Sequence, residues 1–202
     1  LITAFILSLA QGVLPLFGAA RGNSAMMLIA PAAAISVALA VAFSFGALVW
    51  GFITSDFSLA LVANHSHSTK PMIYKISGTW GNHEGSLLLW ILILAIYGGV
   101  LALGGSAMPM ALKARILAVQ GMVTTGFLAF SLFTSNPFLR LANIPLDGKG
   151  LNPILQDPGL AIHPPMLYLG YVGLSMAFAF AVAALITGEV DRLWAKWMRP
   201  WI

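Results

Sequence analysis

Five apolar segments constrain this chain more than any other feature of its sequence. A helix needs about 20 predominantly apolar residues to cross the hydrocarbon core of a bilayer. The chain is 59% hydrophobic and only 8% charged, whereas a soluble domain carries roughly 25% charged residues. The sequence therefore predicts an all-α fold, a polytopic transmembrane helical bundle with long loops on one side. The predicted spans are residues 2–19, 26–53, 86–103, 116–134 and 166–186.

Small residues recur within three of these spans. Alanines cluster in the second span (32–34 and 38–42) and in the fifth (177–181), and the third contains Gly98 and Gly99. Small side chains allow helix backbones to approach closely where lipid provides no hydrophobic driving force. We therefore expect tight helix packing at these positions.

The Lys and Arg residues predict the orientation in the membrane, because basic residues near span ends favour the cytoplasmic side. Six lie close to span ends in one set of connections, namely Arg21, Lys113, Arg115, Arg192, Lys196 and Arg199. The other four, Lys70, Lys75, Arg140 and Lys149, are spread over two much longer loops. This count places the long loops and all four histidines in the periplasm.

The same basic residues exclude one class of partner. The net charge is +4, but the cations are scattered singly and form no basic stripe or nucleic-acid-binding motif, so no nucleic-acid partner is expected. The chain contains no cysteine, which excludes disulfides, thiolate metal sites and cysteine nucleophiles within these residues. Membrane lipid is the partner that the composition predicts.

The two long outer loops are candidates for function. The first covers residues 54–85 and the second residues 136–165. The second loop retains many apolar side chains, unlike a disordered linker. We expect it to form short helical or extended segments in the membrane interface.

His163 ends the second loop and is followed by Pro164 and Pro165. Proline suits the first turn of a helix, where the backbone N–H has no partner. The sequence therefore predicts that the two prolines start the fifth span and hold the imidazole near the membrane surface. On the residues alone, two interpretations of His163 remain open. It either binds a metal or transfers a proton, or it is a histidine hydrogen-bonded into loop structure.

Two other histidine motifs allow alternative interpretations. His65 and His67 would point the same way on an extended strand, but without a further ligand nearby a solvated loop is favoured over a metal site. His83 and Glu84 stand at the head of the third span. There a carboxylate suits the positive end of the helix dipole, and capping and orientation are favoured over ligation.

Three longer motifs carry a family resemblance. They are GTWGNHEGSLLLW at residues 78–90, FSLFTSNPF at 130–138 and GKGLNPILQDPGLAIHPPMLYLGYVG at 148–173. In order and spacing they resemble the N-terminal third of the CcmF family of bacterial cytochrome c-type biogenesis proteins, which are haem lyase subunits of the haem-handling superfamily. The resemblance covers essentially all 202 residues. It implies that residues 1–202 are the N-terminal transmembrane part of a larger haem-handling protein in the bacterial inner membrane.

The resemblance also implies an activity. Proteins of this family act as the cytochrome c haem lyase within a complex: haem b arrives from a periplasmic haem chaperone and is attached covalently to apocytochrome c, with thiol-handling subunits in the same maturation system. A chain that ends at residue 202 is expected to be inactive alone, because later parts of the family pattern hold a structural b-type haem and the tryptophan-rich segment.

The resemblance assigns roles to individual residues. In the family, two histidines flank the tryptophan-rich segment and ligate the incoming haem, and the first of them, in the HPP motif, falls on His163. His163 is thus expected to be an axial ligand of the haem iron, with its counterpart outside this sequence. Trp80, Glu84, Asp157 and Tyr168 are candidates for orienting the imidazole or the haem propionates.

Two alternatives remain at this point. A paralogue that serves nitrite reductase assembly would share these motifs. A membrane transporter or proton-channel subunit would also show packed small residues, but that class predicts ionisable groups in mid-span. None of the five segments carries Asp, Glu, Lys, Arg or His near its centre.

Overall fold

The protein is described here by a computed structural model that covers residues 1–104 and 108–202. Within these residues, five helices are long and apolar enough to cross a membrane, which confirms the predicted fold class. In chain order the described helices are α1 (Ile2–Arg21), α2 (Ser24–Met27), α3 (Ile29–Thr54), α4 (Ala60–His65), α5 (Met72–Gly78), α6 (His83–Leu103), α7 (Met110–Phe133), α8 (Pro158–Thr187) and α9 (Arg192–Met198).

Helices α6 and α7 begin earlier than the apolar segments predicted for them. The third predicted span starts at Ser86, but α6 starts at His83, directly after Asn82, whose side chain accepts a hydrogen bond from the Gly85 N–H. The fourth starts at Ile116, but α7 starts at Met110. Hydropathy locates the part of a helix suited to lipid, whereas the start of α6 is fixed by its capping side chain. Helix α7 follows Pro109 and has no such side-chain cap. Leu28 also separates α2 from α3 within the second predicted span.

Glycines bring α1 and α7 into close contact. A Cβ atom built on Gly121 would lie 2.9 Å from Cγ of Gln11 and 3.0 Å from the backbone N of Gly12. Beside this contact, Nε2 of Gln11 donates a hydrogen bond of 2.8 Å to the Leu117 carbonyl. The sequence analysis did not single out this contact, although it did predict close packing at Gly99, where a Cβ atom would lie 3.4 Å from Cβ of Ala38.

Helix α6 packs against α3, α7 and α8, and α7 contacts all four of the other long helices. The buried side chains of α6 place it, with α7, inside the bundle. Its buried side chains include Leu88, Ile91 and Leu94, each no more than 1% exposed. This position makes α6 the element against which the outer end of α8 is held.

The two long loops meet at one end of the bundle. The Ala60 N–H donates to the Leu139 carbonyl at 2.8 Å, and the Lys149 N–H donates to the Ala63 carbonyl at 2.8 Å. A further link joins Asp147, whose carboxylate accepts from both the N–H and the hydroxyl of Ser68. The first loop contains α4 and α5, and the second contains a 3-10 turn at Pro153–Leu155 and the first two turns of α8, in agreement with the predicted short helical segments.

Basic residues mark the opposite end. The Nζ atom of Lys113 donates to the carbonyls of Ala102 and Gly104, at 2.8 and 2.7 Å. A lysine placed in this way pairs carbonyl groups that the end of α6 leaves without helical partners. The described residues thus separate into one end with the long loops and one with the basic connections. The side of the membrane that each end faces stays a prediction.

Candidate functional site around His163

His163 lies in the second turn of α8. The helix begins at Pro158, and the side chain of Asp157 caps it by accepting a 3.0 Å hydrogen bond from the Leu160 N–H. The prediction that Pro164 and Pro165 occupy the first turn is therefore wrong, because both lie inside the helix. An Asp cap followed by Pro at the first helical position is a stronger start signal than the histidine–proline sequence.

The imidazole of His163 is exposed. Among the residues described, it forms no hydrogen bond or ion pair. The imidazole thus has no hydrogen-bond partner in the described part of the chain that would hold it in loop structure, as one interpretation required. Both ring nitrogens are left available, and a neutral imidazole can ligate a metal through either of them.

A cavity of about 510 Å³ lies between α6, α8 and the two outer loops. This volume falls within the range of about 300–1,000 Å³ that is usual for sites of small molecules and cofactors. His163 is outside the lining, since the α8 residues that face the cavity are Leu160, Ala161, Pro164 and Tyr168. The rest of the lining is Ser77, Trp80, Gly81, Asn82, His83, Ser86, Leu87, Trp90, Phe127, Leu151 and Leu155.

Trp80 and Tyr168, both singled out from the sequence, meet at this cavity. The indole Nε1 of Trp80 donates a hydrogen bond of 2.9 Å to the Ala161 carbonyl, and the Trp80 ring stacks on Phe45. The hydroxyl of Tyr168 is hydrogen-bonded to that of Ser86. Each of the two aromatic residues therefore connects α8 to a neighbouring element.

An aromatic cluster surrounds Trp90. Its ring lies 5.4 Å from that of Phe127, 5.6 Å from that of Tyr168 and 5.3 Å from that of Tyr171, measured between centroids. The sequence analysis assigned no role to Trp90 or Phe127. Aromatic residues in a span are usually packing residues, and only the fold shows that this pair shares a cavity.

Glu84 and Asp157 lie outside the cavity lining. Glu84 is half-buried in the first turn of α6, as the sequence predicted. Asp157 is exposed and serves as the cap of α8. The structure therefore separates these two carboxylates from the aromatic pair.

His83 lines the cavity. Its Nε2 lies 3.1 Å from Oγ of Ser135, and its ring meets Phe130 edge-on. The side-chain cap of α6 is Asn82 and not the His83–Glu84 pair, so the capping part of that interpretation is wrong. The short side chain of Asn82 is better suited to reach the first free N–H groups.

His65 and His67 do not lie on an extended strand. His65 is the last residue of α4, and burial lowers its pKa, although the charge of Glu84 acts in the opposite direction. Nε2 of His67 lies 3.4 Å from Asp147. The pKa of Asp147 is lowered to about 2, chiefly by its hydrogen bond with the Ser68 side chain. No group of three or more His, Asp or Glu residues in the described ranges is arranged to hold a metal ion.

Comparison with known proteins gives the family context of this site. Residues 80–202 match the model of a family described as cytochrome C assembly protein. The chain is 59% identical over 201 residues to the cytochrome c-type biogenesis protein ccl1 of Rhodobacter capsulatus, and 53% identical over 202 residues to CcmF of Pseudomonas aeruginosa. Both alignments cover 100% of this chain and 31% of the relative.

The fold also resembles a solved structure. A chain named cytochrome c haem lyase CcmF superposes with a TM-score of 0.83 at 31% sequence identity, over 98% of this chain and 31% of that one. This chain thus spans about a third of the length of the proteins that it matches.

Proposed function

This chain belongs to the cytochrome c assembly protein family, and we propose that it forms the N-terminal part of a haem lyase subunit of the CcmF type. In this proposal the protein receives haem b at the periplasmic face of the inner membrane. It then presents the haem for covalent attachment to apocytochrome c. The partners are a periplasmic haem chaperone, the apocytochrome and the thiol-handling subunits of the same maturation system.

His163 is the residue of this chain proposed to bind haem iron. The observation that carries the proposal is an exposed imidazole, without a partner among the described residues, at the loop-bearing end of α8. Haem is the substrate here, and ligation by histidine positions it and tunes the iron. The thioether bonds are formed by cysteines of the apocytochrome, in accord with a chain that has no cysteine.

The second axial ligand is proposed to come from outside residues 1–202. His65, His67 and His83 are the other histidines of this chain. His83 is placed beside Ser135 and His67 beside Asp147. A structural b-type haem is likewise assigned to later parts of the full protein.

The remaining predicted residues are proposed to act on α8 or on haem from their observed positions. Asp157 fixes where α8 begins, and Trp80 and Tyr168 connect α8 to its neighbours. Glu84 contributes a half-buried carboxylate at the same end of the bundle. There it raises the pKa of His65 through its charge, against the larger effect of burial.

Replacement of His163 in the full-length protein tests the proposal. His163→Ala should stop cytochrome c maturation in cells while the protein still inserts in the membrane, because Asp157 and Pro158 remain to start α8. The matched control is His65→Ala, which removes a histidine from the same end of the bundle and should mature cytochrome c normally. Wild-type maturation by the His163 variant would remove His163 from the haem site.

A further inference from the structure

Two backbone carbonyls near His163 lose their helical partners. In an α-helix the N–H of each residue donates to the carbonyl four positions earlier, and proline has no N–H. Pro164 and Pro165 therefore leave the carbonyls of Leu160 and Ala161 without those donors. Ala161 is only 5% exposed, and a buried carbonyl without a partner is costly.

Trp80 supplies a donor to one of these carbonyls. Its indole Nε1 lies 2.9 Å from the oxygen of Ala161, although the two residues are 81 positions apart in the chain. The Trp80 ring is held by Phe45, whose ring it faces at 6.4 Å with an interplanar angle of 16°. The Trp80 indole thus donates to the same carbonyl, that of Ala161, which Pro165 leaves without a backbone donor.

The hydrogen bond between Trp80 and the Ala161 carbonyl lies close to His163 in α8. Ala161 is two residues before His163, and the proline that opens the hydrogen-bond ladder is two residues after it. Without a substitute donor, the first two turns of α8 would be joined to the rest of the helix by fewer backbone bonds. An imidazole on those turns would then vary in position and direction.

We propose that Trp80 is a positioning residue for His163, replacing the backbone donor that Pro165 removes and so holding the turn that presents the imidazole. The inference rests on the proposed function of His163 as a haem ligand. Trp80 acts through α8 and not on haem, because an indole has a single donor and Ala161 occupies it. A proline in the HPP motif and a tryptophan in a distant loop thereby form one functional pair.

A double-mutant cycle in the full-length protein tests this pairing. Trp80→Phe keeps an aromatic ring against Phe45 and removes the donor, whereas Pro165→Ala restores an N–H that can pair with the Ala161 carbonyl. Trp80→Phe alone should weaken haem binding about tenfold, which corresponds to the loss of one buried hydrogen bond. In the Pro165→Ala background, the same change should alter haem binding by less than about twofold.

Spectroscopy distinguishes positioning from a general structural role. Haem is titrated into the purified protein and followed by its Soret band. The low-spin EPR spectrum is then recorded, because its g values depend on the orientation of the axial imidazole planes. Trp80→Phe should shift these g values, and the added Pro165→Ala change should move them back. Trp50→Phe is the matched control, since Trp50 is an exposed tryptophan of α3 outside the cavity lining and should leave the g values unchanged.

The outcomes separate the two proposals. If His163→Ala leaves haem binding unchanged, the proposed function fails. If His163→Ala abolishes binding but Trp80→Phe has no effect, or the same effect in both backgrounds, the positioning role alone fails. If the Trp80→Phe protein does not accumulate, the double variant is compared with Pro165→Ala alone. Weaker haem binding by the double variant than by Pro165→Ala would overturn the inference.

Discussion

The hydroxyl groups of Tyr168 and Ser86 are hydrogen-bonded to each other and join α8 to α6. Tyr168 lies five residues after His163, about 7.5 Å farther along the helix axis. Its ring also packs on Trp90, with 5.6 Å between centroids. The outer end of α8 is therefore held on α6 by a polar bond and an aromatic contact together.

Replacing Tyr168 by Phe should destabilise the protein modestly. The change removes the bond to Ser86 and keeps the ring against Trp90, so the free energy of unfolding should fall by about 1 kcal/mol. Thermal unfolding of the purified protein in detergent measures this difference. Tyr171→Phe is the control, because Tyr171 also packs on Trp90 but is exposed, and its hydroxyl has no hydrogen bond in the described part of the chain. Equal losses in the two variants would contradict the role of the Ser86 bond.

Gly121 should not tolerate a side chain. A Cβ atom there would lie 3.0 Å from the backbone N of Gly12, so Gly121→Ala must separate α1 from α7. We expect a loss of about 1–3 kcal/mol in the free energy of unfolding, as for other overpacked sites. Gly126→Ala is the matched control on the same helix, because nothing lies within 4 Å of its Cβ position. An unchanged melting temperature for Gly121→Ala would contradict the observed helix contact.

The helical framework could be predicted from sequence because hydropathy alone specifies which segments suit lipid. The start of α8 could not be predicted, because the signal at Asp157 and Pro158 competes with a second proline signal at Pro164 and Pro165. Capping geometry decides between them only when the loop is folded.

The site could be predicted only in part. The HPP motif identifies His163, but sequence spacing does not show that Trp80 reaches Ala161 or that Tyr168 reaches Ser86, since each pair is more than 80 residues apart. In the sequence, Pro165 is the residue that points to the Trp80 contact. It implies that the Ala161 carbonyl needs another donor, but it does not name that donor.

The hydrogen bonds between Ser68 and Asp147, one of several links between the two outer loops, should persist in acid. Hydrogen bonds from Ser68 hold the pKa of Asp147 at about 2, below the ordinary value for an aspartate. A carboxylate with a lowered pKa in the folded protein stabilises it above the ordinary pKa, and that contribution is lost as the pH falls through the folded value. The link should therefore be intact at pH 5 and fail towards pH 2.

Hydrogen exchange of the Ser68 amide, which donates to the Asp147 carboxylate, measures this link once it is corrected for the intrinsic exchange rate. Asp147→Ala should lose the protection at every pH, whereas the wild-type protein should lose it only near pH 2. Protection that falls already between pH 6 and pH 4 would show that another group controls the contact.

Cysteine labelling should place the two ends of the bundle on opposite sides of the membrane. Residues 1–202 contain no cysteine, so single substitutions at the exposed positions Lys149 and Lys196 introduce the only thiols of this region. Lys149→Cys should react with a membrane-impermeant maleimide in intact spheroplasts, and Lys196→Cys should react only after lysis. The reverse pattern would place His163 on the cytoplasmic face and exclude a periplasmic haem site.

The central claim is that the imidazole of His163 ligates haem iron. It is tested most directly by titrating haem into the purified full-length protein and recording the optical spectrum of the bound haem, for the wild type and for His163→Ala. We predict that the variant fails to form the low-spin species of the wild type at this site and that added imidazole restores it, because a free ligand can occupy the vacated coordination position. The same low-spin spectrum and the same haem affinity in the variant without imidazole would contradict the claim.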